Sequence, residues 1–378
     1  MAYLDFNATT PLCAAAREAM LPFLEAGFGN PSSIHSEGRK ARAAVDDARD
    51  RLAAVLGVRP HEIIFTGGGT ESCNLGVIGI ARAHAPKGRH VITSSIEHHA
   101  VLHAMEYLRH FENFEVEVLP VDAAGVVDPA DVERAIRPET TLVSIMHANN
   151  ETGAIQPVEE LAAICRSRGV LFHTDAVQSF GKLPLRPHEI GVSSASIAAH
   201  KFCGPKGVGA LVLAAGVAIS RTVHGGAHEN TRRPGTENVA GIAGMAAAAE
   251  WAAGQDGGHL LPLREWLWEG IRRSCPEASR NGDPDRCLAN TLNVSFPGAD
   301  GESLLIGLDL EGVCVSSGSA CMVGSVQPSH VLMAMGVPSA TALASVRFSL
   351  GHTTTADDVR RAVAAVEKVV ARQTIAVG

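Results

Sequence analysis

Three features that could do chemistry stand at the ends of apolar runs. Asp175 follows one run, in HTDAVQ, and His200 and Lys201 follow the next, in AHKFCGPKG. Upstream, IIF leads into Thr66-Gly67-Gly68-Gly69-Thr70-Glu71 and then a helical pattern. Three glycines let backbone N–H groups approach a phosphate, and a helix N-terminus adds its partial positive charge. No Gly-Lys-Ser/Thr follows and the spacing is not G-x-G-x-x-G, so the common nucleotide-binding motifs are excluded. Taken singly, the turn is as readily a tight connection, and a lone lysine or aspartate is more often a solvated surface charge. Together and in this order they are the parts pyridoxal phosphate needs. Lysine forms the Schiff base, and the carboxylate holds the pyridine nitrogen protonated so that the ring accepts electrons.

Two further groups belong with them. Glu97-His98-His99 follows the run ending at Ser95, on the same rim, where a histidine can stack on a cofactor ring and shuttle protons near neutral pH. Residues 316–325, SSGSACMVGS, form a small-residue loop that would leave the Cys321 thiol exposed and able to swing. No basic residue in that loop depresses the thiol's pKa, so activation must come from across the site. Cys314, in a strand pattern, is expected to be buried and inert.

The elements that position these groups are short. Candidate strands are Glu62–Thr66, His90–Ser95, Glu115–Leu119, Thr141–His147, Val170–Thr174, Ser193–Ala198 and Val208–Leu213. Between them lie helical patterns at Glu37–Leu56, Val158–Arg168 and Asn238–Ala253; the first stops at Gly57, a left-handed cap. Strands alternating with helices imply an α/β fold, a mainly parallel sheet flanked by helices, with ligands at the strand C-terminal ends. After about Gly254 the pattern changes to GQDGG, an amphipathic helix, and strands at Thr291–Phe296, Gly312–Ser316 and Ser345–Leu350. We therefore expect a large cofactor domain over residues 14–254. A smaller α+β domain, residues 1–13 and 255–378, would carry the Cys321 loop.

Composition narrows the class. The chain has 378 residues, 46% hydrophobic and 19% charged, an ordinary globular balance, and a net charge of −8 gives no reason to expect nucleic-acid binding. No window is apolar enough to span a membrane and no secretory signal is visible, so a cytoplasmic setting is the expectation. The eight cysteines contain no C-x-x-C pair, which removes the main support for a metal site or a thioredoxin-type centre. One reactive thiol and seven packing ones is the resulting expectation.

The chain resembles the NifS/IscS-type cysteine desulfurases, class V, fold-type I pyridoxal-phosphate enzymes. The likeness runs nearly end to end, through YLDFNATTP, FGNPSSIHS, FTGGGTE, EHHAVL, MHANNETG, FHTDAVQ, AHKFCGPKGVG, RRPGTENVAG, NTLNVSF, SSGSAC, PSHVL and VRFSLG. It implies that Lys201 is the Schiff-base lysine, Asp175 the pyridinium partner, Gln178 a ligand of the ring hydroxyl, His98 the stacking acid/base and Cys321 the nucleophile. It further implies that Gly69, Thr70 and His200 hold the phosphate, joined by Thr236 from the neighbouring subunit of a homodimer. Asn149 and Arg347 would bind the carboxylate of L-cysteine, a task that suits a guanidinium fork. The implied products are alanine and a Cys321 persulfide, which an acceptor or iron–sulfur scaffold protein then draws on, nitrogenase assembly being one such route. The alternative on the same fold is selenocysteine lyase or another β-eliminating enzyme, which needs no nucleophilic cysteine.

Two positions depart from the family's pattern. Ala198 stands where relatives commonly have serine, and Gly67 where a serine often leads the cradle. Each removes a polar group near the phosphate, which is expected to weaken cofactor retention.

Overall fold

The computed structural model describes residues 1–317 and 327–376; Cys321 lies outside them, so the reading of its loop stands on sequence. Among the described residues the strands are β1 (Ala2–Tyr3), β2 (Ile63–Thr66), β3 (His90–Ser94), β4 (Glu115–Leu119), β5 (Thr140–Ser144), β6 (Leu171–Asp175), β7 (Ser194–Ala198), β8 (Gly209–Leu213), β9 (Ser279–Arg280), β10 (Thr291–Ser295), β11 (Val313–Cys314) and β12 (Ser345–Ser349). A seven-stranded sheet runs in the order β2-β8-β7-β6-β5-β3-β4. Strands β4, β3, β5, β6 and β7 pair in parallel, whereas β8 is antiparallel to both β7 and β2.

The reversal of β8 has a simple cause. The link from Ala198 to Gly209 holds only a single 3-10 turn, Ala199–Lys201, and is too short for the helical crossover that parallel strands require. It also brings the start of β8 against the end of β2, with Thr66 opposite Gly209. Beyond Ser144, where the expected fifth strand was longer, Ile145 and His147 still donate to His173 and Asp175 of β6 before the chain turns away.

Helices cover both faces. The helix Ser36–Leu56 starts where the His35 side chain accepts from the Gly38 N–H and stops at Gly57, whose φ of 67° is the left-handed cap expected there. Its stripe Ala41, Val45, Ala48, Leu52 and Leu56 is buried. The helix Val239–Ala253, capped by Asn238, packs against Ser36–Leu56 and Ala14–Glu25. Its small residues make that approach possible: a Cβ on Gly244 would stand 2.8 Å from Met20 Sδ. The opposite face carries Gly69–Asn74 with its continuation to His84, and His99–Phe111.

A second core forms around the antiparallel sheet β12-β10-β9 and the helices Leu260–Ser274, Gly301–Leu310 and Ala356–Ala376. The N-terminal segment joins it: β1 pairs with β11, and Ala2 and Leu4 are buried in that core. The strand expected at Gly312–Ser316 is confined to β11 plus one bridge, Ser316 to Arg347 of β12. No helix among the described residues is long and apolar enough to cross a membrane.

Candidate active site

The ends of β6 and β7 deliver Asp175 and Lys201 to one cavity of 400 Å³, which His98, Gln178, Thr70 and Arg347 also line. It shares Gly69, Thr70 and His200 with an outer recess of 770 Å³ over the glycine turn. In that turn Gly68 holds φ at 150°, which side chains avoid, and the first position of β8 presses on it: a Cβ on Gly209 would lie 2.7 Å from the Gly68 carbonyl carbon. The reversed strand therefore needs glycine at its first position to come up beside the cradle.

Charge in the cavity is arranged by specific partners. Asp175 is 5% exposed, and its Oδ1 accepts from the Val177 N–H at 2.9 Å. A buried carboxylate at this strand end suits a protonated ring nitrogen, and with a lysine amine and a glycine turn on the same cavity the donor set fits pyridoxal phosphate. Lys201 Nζ donates to the carbonyls of Asn7 and Ala8 at 2.7 and 2.9 Å. His98 caps the helix His99–Phe111, its Nδ1 accepting from the Ala100 N–H at 3.1 Å, so the neutral ring carries its proton on Nε2. Burial lowers its pKa, against the opposing pull of Asp175. Burial, with Lys201 and Lys206, pushes His200 down to about 4, leaving it neutral beside the cradle.

Arg347 is 3% exposed. It donates from Nη1 to the Asn150 carbonyl at 2.9 Å and from Nη2 to Asp5 Oδ1 at 2.8 Å. The guanidinium so held lines the cavity, where it is the cation for an incoming carboxylate.

Two expected residues sit differently. Asn149 is fully buried and does not line the cavity. Its Nδ2 donates to the Ile96 carbonyl and its Oδ1 receives the Glu151 and Thr152 N–H groups, so its amide is spent on the 149–152 turn and the expected carboxylate contact is corrected. Asn150, next to it, does line the cavity. Thr236 is exposed and lines a separate small recess behind the glycine turn rather than the Lys201 cavity.

Several contributors carry no motif of their own. Asn7, in YLDFNATTP, is buried and bonds Gln178, Lys182 and Lys201 from the N-terminal segment. Cys73 lines the cavity as a buried thiol, its pKa raised by burial and by Asp175, which makes it inert. Glu97 is fully buried and pushed up to about 8 by desolvation, so it is protonated near neutral pH. Its Oε1 accepts from Ser94 Oγ and the Met146 N–H, tying the end of β3 to the end of β5 directly beneath His98. Alternation of hydrophobic character marks none of these.

Comparisons with known proteins converge on one group. The aminotransferase class-V family model matches residues 2–362. The chain is similar to a cysteine desulfurase IscS of Dictyoglomus turgidum, 48% identical over 371 residues that cover 97% of this chain and 94% of that one. A solved NifS-like protein superposes with a TM-score of 0.92 at 39% identity, covering 98% of this chain and 100% of the other. SspA in complex with cysteine superposes at 0.83 and 36% identity, covering 93% and 99%.

Proposed function

We infer that this chain, which belongs to the class-V aminotransferase family, is a cysteine desulfurase that supplies sulfur for iron–sulfur cluster assembly. The observation that carries the site reading is the convergence of Asp175, Lys201, His98 and Arg347 on one cavity beside the glycine turn. When bound there, pyridoxal phosphate supplies an electron sink for the carbanion at the substrate α-carbon.

The protein's own groups do the rest. Lys201 would anchor the cofactor, Asp175 would serve its ring nitrogen, Gln178 its ring hydroxyl, and Gly69, Thr70 and His200 its phosphate. Arg347 would bind the carboxylate of L-cysteine, with Asn150 at the same wall. His98 holds a proton on Nε2 and exchanges it with the substrate. The Cys321 thiolate attacks the substrate sulfur; the new S–S bond forms as the carbon–sulfur bond breaks, and protonated carbon leaves as alanine. A sulfur-acceptor or scaffold protein then takes the terminal sulfur from the persulfide.

A cytoplasmic homodimer is part of this proposal, with the exposed Thr236 reaching the phosphate of the second copy, and nitrogenase maturation is the cluster assembly it would feed. The test is incubation with L-cysteine and stoichiometric measurement of alanine and Cys321-bound sulfur. Cys321→Ser should abolish sulfur release, and full desulfuration by that variant would sink the persulfide route. A stable, active monomer in light scattering would remove Thr236 from the site.

A further inference from the structure

Two lysine amines, Lys201 in the cavity wall and Lys182 behind it, bond to a single asparagine. Lys201 Nζ donates to the Asn7 carbonyl at 2.7 Å, and Lys182 Nζ to the Asn7 side-chain oxygen at 3.1 Å. Lys182 also donates to Gln178 Oε1 at 2.8 Å, and Gln178 Nε2 closes the ring by donating to the Asn7 carbonyl at 2.9 Å. Asn7 is itself held, its Nδ2 donating to Thr291 Oγ1 and its Oδ1 also receiving the amide of Asn290. We propose that Lys182 is a positioning residue: it fixes which end of the Gln178 amide faces inward. The proposal rests on the reading of Lys201 and Gln178 as cofactor ligands.

The orientation follows from donor and acceptor types. The two ends of an amide have nearly the same shape, but only the oxygen accepts from a lysine N–H. Lys182 therefore claims Oε1, and the NH2 end keeps one hydrogen on Asn7 and one to give to a ring hydroxyl. With a neutral, apolar residue at 182 nothing would oppose the flipped amide.

The experiment compares wild type, Lys182→Met, Lys182→Gln and Lys182→Arg as full-length holoenzyme and records the pH titration of the cofactor chromophore from pH 6 to 10. Met, which leaves the amide unopposed, should move the midpoint upward by roughly one pH unit, while Arg, which only donates to Oε1, leaves it near wild type. Gln is close to lysine in length and keeps a donor for Asn7, so it preserves the fold if Met does not; its own amide meets either orientation, so it should move the midpoint in the same direction. An unchanged midpoint in Met and Gln would overturn the proposal, as would an equal shift in Arg, which would mean packing alone. If the wild type itself shows no Lys201-dependent chromophore, the cofactor reading fails instead.

Discussion

Arg347 spends one nitrogen on Asp5, Nη2 to Oδ1 at 2.8 Å, and another on the Asn150 carbonyl, Nη1 at 2.9 Å. The internal carboxylate orients the guanidinium where it lines the cavity. Lysine keeps the charge but not the planar fork. Arg347→Lys should raise KM for L-cysteine about ten- to hundredfold, the worth of one or two charge-assisted hydrogen bonds, with a smaller change in kcat. An unchanged KM in steady-state kinetics would place the substrate carboxylate elsewhere.

Ala198, 1% exposed, lines the cavity 3.2 Å from where a Cβ on Gly69 would stand. A serine hydroxyl at that spot would face the cradle and add one donor for a phosphate oxygen. Ala198→Ser should therefore slow cofactor loss during gel filtration by about tenfold, one hydrogen bond to a charged group being worth roughly 1.5 kcal/mol or more. Equal retention would show that the present donors are enough.

The tight contact of β8 with the glycine turn gives a stability prediction. In Gly209→Ala the new Cβ would meet backbone on both sides, the Gly68 carbonyl carbon at 2.7 Å and the Ile197 oxygen at 2.7 Å. Neither neighbour is a flexible side-chain end. The substitution should cost about 1–3 kcal/mol in denaturant unfolding and weaken cofactor binding in the same protein. Loss of stability with normal cofactor affinity would separate the strand from the cradle.

Buried titratable groups set the pH range of the fold. Burial pushes His147 down to about 4 and His173 to about 3, whereas unfolded imidazoles protonate near 6.5. Their stabilising contribution is complete above pH 6.5 and is lost as pH falls, at about 1.4 kcal/mol per pH unit for each. Glu97 works in the opposite sense: raised from 4.5 to about 8, it contributes fully below 4.5 and loses that contribution as pH rises to 8. Between pH 4.5 and 6.5 the histidines outweigh the glutamate, so stability should rise with pH over that range in thermal melts. His173 bridges Ser144 Oγ and Ser196 Oγ on the neighbouring strands, so His173→Gln should flatten the acidic limb. An acidic limb of unchanged slope in that variant would mean that other groups control it.

How much of this was legible beforehand depends on whether a residue's partners are near it in sequence. Asp175, Lys201 and His98 could be placed because each directly follows an apolar run, and strand ends in an α/β sheet face the ligand. The direction of β8 was not, since an apolar run has no polarity; the shortness of its link to β7 decided it. Asn149 and Asn150 are adjacent and chemically identical, and only the turn at 149–152, with its backbone N–H groups collected on Asn149, decides which one looks into the cavity. Nothing in the sequence singles out Lys182, because its acceptor Asn7 lies 175 residues away. Long-range polar pairing of that kind leaves no periodicity behind.

The N-terminal segment described above also has a history during synthesis. The Asn7 N–H donates to the Ser349 hydroxyl across 342 residues of chain, and the carbonyl of the same residue holds Lys201. Asn7 must therefore wait for residue 349 to be made before this bond can fix it in place. The large sheet can assemble in that interval, yet its lysine has no Asn7 carbonyl fixed in place until β12 has been made. Cofactor capture should consequently be a late event, after translation, and slow folding through such distant contacts leaves a long window in which chaperones rather than native partners cover the strand ends.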